Sequence, residues 1–184
     1  MKYTPEDEIL IEEKWQELQD ECRKAKVCRR QDDWQFVKRA FLLAKEAHKG
    51  VRRRSGEPYI IHPIEGAIIC VREIGLGKKS VVAALLHDVG KIGVPDAVIN
   101  KPAKLTEEEY AQIKTHPVMG DRILKNIRER PKLAIGARWH HERYDGRGYP
   151  RGLSGKEITE EARIVGIADA FDAMNSNRIY RKAC

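Results

Sequence analysis

Six histidines are spread along the 184 residues of this chain. Five of them, His62, His87, His116, His140 and His141, fall at or near the ends of segments with helical periodicity. One histidine on an apolar face is more often a hydrogen-bonded core residue than a ligand. Five at helix ends, with acids beside them, point to a metal site. Asp88 ends the apolar run VVAALLHD, and Asp169 lies among apolar neighbours in ARIVGIADAFDAM. A carboxylate in such a place is costly to bury unless it is paired or bound to metal. Metal is the reading for Asp88 and Asp169, and a buried pair with an arginine is the reading for Asp172. Neighbouring residues on a helix project about 100° apart. His87 with Asp88, and His140 with His141, therefore converge only on a cluster at a helix end or on more than one ion. Two ions roughly 3.5–4 Å apart, bridged by a carboxylate and a hydroxide, satisfy both pairs. Imidazole and carboxylate together suit iron, manganese, zinc, cobalt or nickel rather than calcium.

The elements that must carry these residues are nearly all helical. From Pro5 to about Cys28, Ile11, Trp15, Leu18, Cys22 and Ala25 recur at three- and four-residue spacing, which predicts an amphipathic helix with a densely charged outer face. Residues 1–30 are assigned to this helix, which either caps the domain or pairs two chains into a homodimer. A second helix is predicted from about Asp32 to His48, with Phe36, Ala40, Leu43, Ala44 and Ala47 on one side. The basic loop from Gly50 to Tyr59 leads to a third, from about Pro63 to Ile74. The segment opened by Ser80 is apolar all round and belongs at the centre. Pro95 and Pro102 mark an extended connection, and Thr106 with Glu109 forms a capping-box pattern for the next helix. Further helices cover about Pro117 to Ile127, Pro131 to His141 and Thr159 to Asn175, the last after the glycine-rich HERYDGRGYPRGLSG. Strand signals are scarce, so the expected fold is all-α.

The bulk composition bounds the partners. Hydrophobic residues make up 41% and charged residues 34%, with 35 basic against 28 acidic side chains and a net charge of +7. That balance suits a phosphorylated ligand, but no groove-reading motif accompanies it and no nucleic-acid partner is expected. Cys22, Cys28, Cys70 and Cys184 form no CxxC pair, which argues against a disulfide framework and for reduced thiols. The N-terminus is too charged for a signal peptide, and no apolar run approaches the roughly 20 residues that span a bilayer. A cytoplasmic protein without a membrane partner is expected.

His62, then His87-Asp88, then Asp169 resembles the H…HD…D pattern of the HD superfamily of metal-dependent phosphohydrolases. From HDVGKIGVPDAVINKPAKLTEEE through IKTHPVMG, HHERYDGRGYPRGL and ARIVGIADAFDAMNSNRIYR, the chain closely resembles the HD-GYP subfamily, with Gly148-Tyr149-Pro150 completing the signature. The resemblance implies a helical HD bundle over residues 31–184 and a phosphodiesterase acting on cyclic dinucleotides, chiefly cyclic di-GMP. It implies that His62, His87, Asp88 and Asp169 hold one metal, and that Asp88, His116, His140 and His141 hold a second. Iron or manganese comes first, with zinc, cobalt and nickel as further candidates. A hydroxide bridging the ions would attack phosphorus. Lys91 would contact the substrate phosphate, and Gly148, Tyr149 and Pro150 would shape the entrance. Arg178 and Arg181 would meet phosphate oxygens, although a solvated lysine and surface arginines are equally ordinary readings.

The segment FVKRAFLLAKEAHKGVRRRSGEPYIIHP instead resembles the hydrolase domain of RelA/SpoT-type enzymes, which remove pyrophosphate from (p)ppGpp. There the residues aligned with Arg53 and Arg54 pack on the nucleotide; a solvated basic turn is the alternative. That family follows its HD with Glu-Asp, where this chain has Val89-Gly90-Lys91. Many HD-GYP proteins also carry a glutamate four residues before the first histidine for a third metal. Here that position is Pro58, with Glu57 and Glu65 nearby, so two metals are expected. HD-GYP domains usually continue beyond the point matching RIYRKAC, so the chain is expected to be a truncated domain or a hybrid of two related halves. A (p)ppGpp or other nucleotide pyrophosphohydrolase is the second reading. An inactive HD module for binding or signalling is the third, and the intact ligand set speaks against it.

Overall fold

The protein is described by a computed structural model over residues 3–53, 55–126 and 131–175. Its helices are α1 (Pro5–Lys24), α2 (Gln31–Ala47), α3 (Ile61–Arg72), α4 (Lys78–Leu86), α5 (Asp96–Ile99), α6 (Glu107–Ile113), α7 (His116–Lys125), α8 (Pro131–Trp139) and α9 (Glu160–Asn175). The described residues contain no strand, only the isolated bridges Arg52–Pro58 and Asp145–Ser154. The fold is all-α, as expected. No helix among the described residues is long and apolar enough to cross a membrane.

Helix α1 begins where Thr4 caps it: the Asp7 amide donates to the Thr4 hydroxyl and the Thr4 amide donates to the Asp7 carboxylate. Pro5 occupies the first turn, where a missing N–H costs nothing, and acids there complement the helix dipole. Ile11, Trp15, Leu18 and Cys22 are buried, and the helix packs on α3. Burying side chains of this size contributes about 1.5–3 kcal/mol each. Together they rival the roughly 5–15 kcal/mol by which a whole domain is stable. Helix α1 is therefore integral to the core, and what it leaves outward is its charged face. Ala25 does not join the apolar stripe, because the helix ends at Lys24 and Ala25 is its exposed C-cap.

In α2 the buried face runs through Val37, Ala40, Phe41, Ala44 and Ala47. Leu43 is 37% exposed and Phe36 only partly buried, so the core-facing stripe is turned from the expected one. The reason is Trp15, whose ring stacks on Phe41 with centroids 4.2 Å apart and selects that side of α2. Helix α4 is buried from Val81 to Leu86 and packs against α2, α3, α8 and α9, which makes it the central rod. The connection between Pro95 and Pro102 is less extended than expected. A one-turn 3-10 helix (Val89–Gly93) follows Asp88, and Pro95 caps the short α5. A fixed proline φ is compatible with a helix start, so proline there initiates a turn as readily as it blocks one. The capping box at Thr106 and Glu109 forms as expected.

Candidate metal centre

Helix ends deliver the ligands. His62 is the second residue of α3, His87 is the C-cap of α4, His116 opens α7, and His140 and His141 follow the end of α8. Asp88 continues directly from His87 into the 3-10 turn, and Asp169 projects from α9. The turn after Asp88 lies so close to α7 that a Cβ on Gly90 would come 1.9 Å from the His116 carbonyl oxygen and 2.4 Å from the Gly120 nitrogen. Only glycine permits that approach, which brings Asp88 and His116 into one site. An ion pair from the half-buried Arg138 on α8 to the buried Asp121 on α7 ties the helices that carry His116 and His140.

Three histidines share one construction. The Nδ1 atoms of His87, His116 and His140 lie 2.7, 2.7 and 2.8 Å from the carbonyls of Ala84, Ile113 and Ala137, each three residues earlier. A carbonyl only accepts, so each Nδ1 carries a hydrogen, and in the neutral ring each Nε2 then presents a lone pair. His62 uses Asp172 instead, with Nδ1 2.6 Å from Oδ2. Such outward anchors are what metal-binding imidazoles require.

The inward atoms gather around Asp88. His116 Nε2 lies 3.1 Å and His140 Nε2 3.8 Å from Asp88 Oδ1. His87 Nε2 lies 3.2 Å and His62 Nε2 3.6 Å from Asp88 Oδ2. Asp169 closes the ring, with Oδ1 3.1 Å from His62 Nε2 and Oδ2 3.9 Å from His141 Nδ1. Among the described residues two groups have ligand atoms within 4.8 Å of one another: Asp88, His116, His140 and His141, and His62, His87 and Asp169. All seven metal candidates from the sequence therefore converge.

The chemistry of the donor set fits cations. His87 Nε2 and Asp88 Oδ1 are buried without a hydrogen-bond partner. His116 Nε2 and His140 Nε2 face each other at 3.3 Å, and with both Nδ1 atoms donating elsewhere these are two lone pairs in opposition. A positive charge between them removes the conflict. Burial, then competition for protons with His141, His87 and His116, holds His140 well below the usual imidazole value, and burial with His116 lowers His141 to about 4. Both are neutral, as ligands must be. Burial opposes ionisation of Asp88, but Lys91 and His87, with His116, outweigh it and hold the carboxyl well below its usual range. Burial likewise opposes protonation of His62, yet hydrogen bonds to Asp169 and Asp172 raise it to about 9, so an ion bound at its Nε2 would displace a proton.

The sequence from residue 76 to residue 184 matches the HD domain family. The chain belongs to that family. This HD domain is 47% identical over 121 residues to the cyclic di-GMP phosphodiesterase response regulator RpfG of Xanthomonas campestris, covering 62% of this chain and 32% of the relative. It is 51% identical over 102 residues to a cyclic di-GMP phosphodiesterase of Thermotoga maritima, covering 54% and 27% respectively. A 3'3'-cGAMP-specific phosphodiesterase of Vibrio cholerae is 46% identical over 101 residues, covering 55% and 22%. The chain thus spans about a third or less of the curated relatives it matches. With Gly148-Tyr149-Pro150 in place beside the HD ligands, it is an HD domain of the HD-GYP type.

In this HD domain the Gly-Tyr-Pro loop lies against the ligands. The Tyr149 ring stacks on His141, with centroids 4.7 Å apart, and the Tyr149–Pro150 peptide is cis. Glu142 fixes the loop from below, accepting hydrogen bonds from the amides of Arg151 at 2.7 Å and Leu153 at 2.8 Å. The loop borders a cleft of about 690 Å³ that reaches His140, His141 and Asp169 and carries Lys114, Arg147 and Arg163 on its walls. Lys91 lies against Asp88, with Nζ 2.7 Å from Oδ2.

The remaining candidates fall elsewhere. Arg53 pairs with Asp172 at 3.0 Å and with Glu57 at 3.2 Å, which places it behind His62. This is the arginine pair anticipated for Asp172. Arg54, Arg178 and Arg181 lie outside the described residues. Glu65 pairs with Lys14 at 2.6 Å, so both glutamates near Pro58 face cations rather than the ligand cluster. Sequence reasoning missed Tyr59, whose hydroxyl donates to Asp88 Oδ2 at 2.9 Å, and Glu142. A glutamate directly after two ligands and before a glycine-rich loop is a signal that would have found the second.

Proposed function

We propose that this HD domain hydrolyses a phosphodiester bond of a cyclic dinucleotide, cyclic di-GMP foremost, at a two-metal centre bridged by Asp88. The reading rests above all on the division of that carboxylate, one oxygen toward His116 and His140 and the other toward His62 and His87. His62, His87, Asp88 and Asp169 would hold one ion, and Asp88, His116, His140 and His141 the other. Iron or manganese suits this nitrogen and oxygen donor set. The ions, when bound, would supply Lewis-acid activation of water and of the phosphoryl group.

The chain's own residues do the rest. Lys91 carries a positive charge beside Asp88 and would stabilise negative charge growing on the phosphoryl oxygens. Arg147, Arg163 and Lys114 give the cleft the cations that a substrate with two phosphates requires, and Tyr110, Tyr144 and Tyr149 offer ring faces for its bases. The names of the relatives favour cyclic dinucleotides over (p)ppGpp, as does Lys91 standing where the alarmone hydrolases have an acid. The reduced thiols expected for Cys22 and Cys70 fit a reaction in the cytoplasm.

The test is a side-by-side assay of cyclic di-GMP, 3'3'-cGAMP and (p)ppGpp with manganese- or iron-loaded protein, with and without chelator, and with products identified. A chelator-sensitive linear dinucleotide or mononucleotide product is expected. Pyrophosphate released from (p)ppGpp, with both cyclic dinucleotides intact, would overturn the proposal.

A further inference from the structure

Tyr59 stands in the loop that leads into α3, outside the segment matched to the HD family. Its hydroxyl occupies a junction in the site. It donates to Asp88 Oδ2 at 2.9 Å and accepts a hydrogen bond from Lys91 Nζ. Lys91 Nζ also sits 4.4 Å from the centroid of the Tyr59 ring, so the ammonium is held by both the face and the tip of one side chain. The ring itself is fixed by two neighbours. His62 meets it edge-on with centroids 5.5 Å apart, and the His48 ring lies tilted against it at 5.1 Å. His48 is fully buried with no hydrogen-bond partner on either nitrogen, and burial lowers it to about 3. It is a neutral wall beside the tyrosine rather than a sixth histidine ligand.

Both residues touched by the hydroxyl need outside help to hold one geometry. Rotation of a carboxylate about its last torsion is soft and roughly two-fold. Asp88 must keep its carboxylate plane at the angle that sends one oxygen toward His62 and His87 and the other toward His116 and His140, and the Tyr59 hydroxyl bonds to the first of these. Lys91 has a flexible four-carbon stem with three donors, and leaving it free forfeits much of its value as an aimed charge.

We propose that Tyr59 is a positioning residue, which sets the orientation of the Asp88 carboxylate for metal binding and holds Lys91 where the scissile phosphate arrives. The proposal rests on the two-metal reading of Asp88 given above. It also assigns a task in the chemistry to the loop before α3, which the family match does not cover.

Tyr59→Phe in the full chain is the test, because it keeps the ring against His48 and His62 and removes only the hydroxyl. Thermal unfolding should be nearly unchanged. Calorimetric titration with manganese should show an affinity lower by roughly 10–100-fold, the usual effect of losing an outer partner of a ligand. With bis-p-nitrophenyl phosphate at saturating manganese, kcat should fall about 10-fold while KM moves little. In a Lys91→Met background the further loss in kcat from Tyr59→Phe should shrink to less than 2-fold. Unchanged manganese affinity in Tyr59→Phe overturns the first half of the proposal, and additive losses in kcat overturn the second. Asp88→Asn separates this from the parent reading: if that variant binds manganese as wild type does, the metal centre is wrong, whatever Tyr59 does.

Discussion

Asp172 Oδ2 accepts from His62 Nδ1 at 2.6 Å, and the same oxygen lies 3.0 Å from Arg53 Nη2. A carboxylate that anchors an imidazole by its outer nitrogen fixes the ring and strengthens the inner one as a donor to metal. Asp172→Ala should therefore weaken metal binding at the His62 group by about 10–100-fold. Excess metal should restore most of the activity. Titration of the apo-protein with manganese checks this, and wild-type affinity in the variant would show that His62 needs no anchor.

Removing the bridge should differ from removing one side of it. On the two-metal reading proposed above, Asp88→Ala takes a ligand from both ions, and dialysed protein should retain neither. His116→Ala takes a ligand from one group, and about one equivalent should remain. Elemental analysis of both variants distinguishes two linked ions from two independent sites, since independent sites would leave Asp88→Ala with half its metal.

The Gly-Tyr-Pro loop offers a steric test. A Cβ on Gly148 would lie 2.4 Å from the Arg143 nitrogen, 2.5 Å from Glu142 Cα and 2.6 Å from the His141 oxygen, all of them backbone atoms. Gly148→Ala must displace the loop, so KM should rise by 10-fold or more as Tyr149 leaves His141. Gly66, inside α3, has nothing within 4 Å of the same construction. Gly66→Ala should leave kinetics alone and stabilise the protein by about 0.4–1 kcal/mol, readable as a higher Tm.

Much of this site was legible because its residues are conspicuous by type. Histidines are few, and His87-Asp88 and His140-His141 sit where helical periodicity stops, so convergence could be expected before any coordinates. Asp172 was legible as an ion-paired acid for the same reason as Asp88, its apolar surroundings. Tyr59 was not legible, because a tyrosine before a helix is ordinary and its value comes from Asp88 and Lys91, which are distant in the chain. The stripe of α2 was misjudged for a similar reason: Phe36 and Phe41 compete for the core, and the winner is chosen by Trp15 on another helix. Pro95 and Pro102 suggest an extended connection, but local sequence alone does not say whether a proline ends one turn or starts the next.

Acid should test how α1 is fastened. Arg52 grips Asp7 through two bonds, Nη1 to Oδ1 at 3.1 Å and Nη2 to Oδ2 at 2.6 Å. Burial opposes ionisation of Asp7, but Arg52 and the Thr4 amide outweigh it and keep the carboxyl below its usual range. A lowered native value means that the stabilisation is complete above the unfolded value of about 3.9 and fades as pH falls through the native one. Asp7→Asn should thus lower Tm at pH 7, and the gap to wild type should narrow as pH falls below about 3.9 toward the lowered native value. A gap of constant size across that range would show that the charge on Asp7 does not contribute.

Because His87, His116 and His140 are each tethered to a carbonyl one turn back, their aim is settled by neighbours three residues away. The cage is assembled from prefabricated parts. Drift of a helix would carry its imidazole along still correctly oriented, so damage to the packing of α7 or α8 should change the spacing between donors before it scrambles any single one.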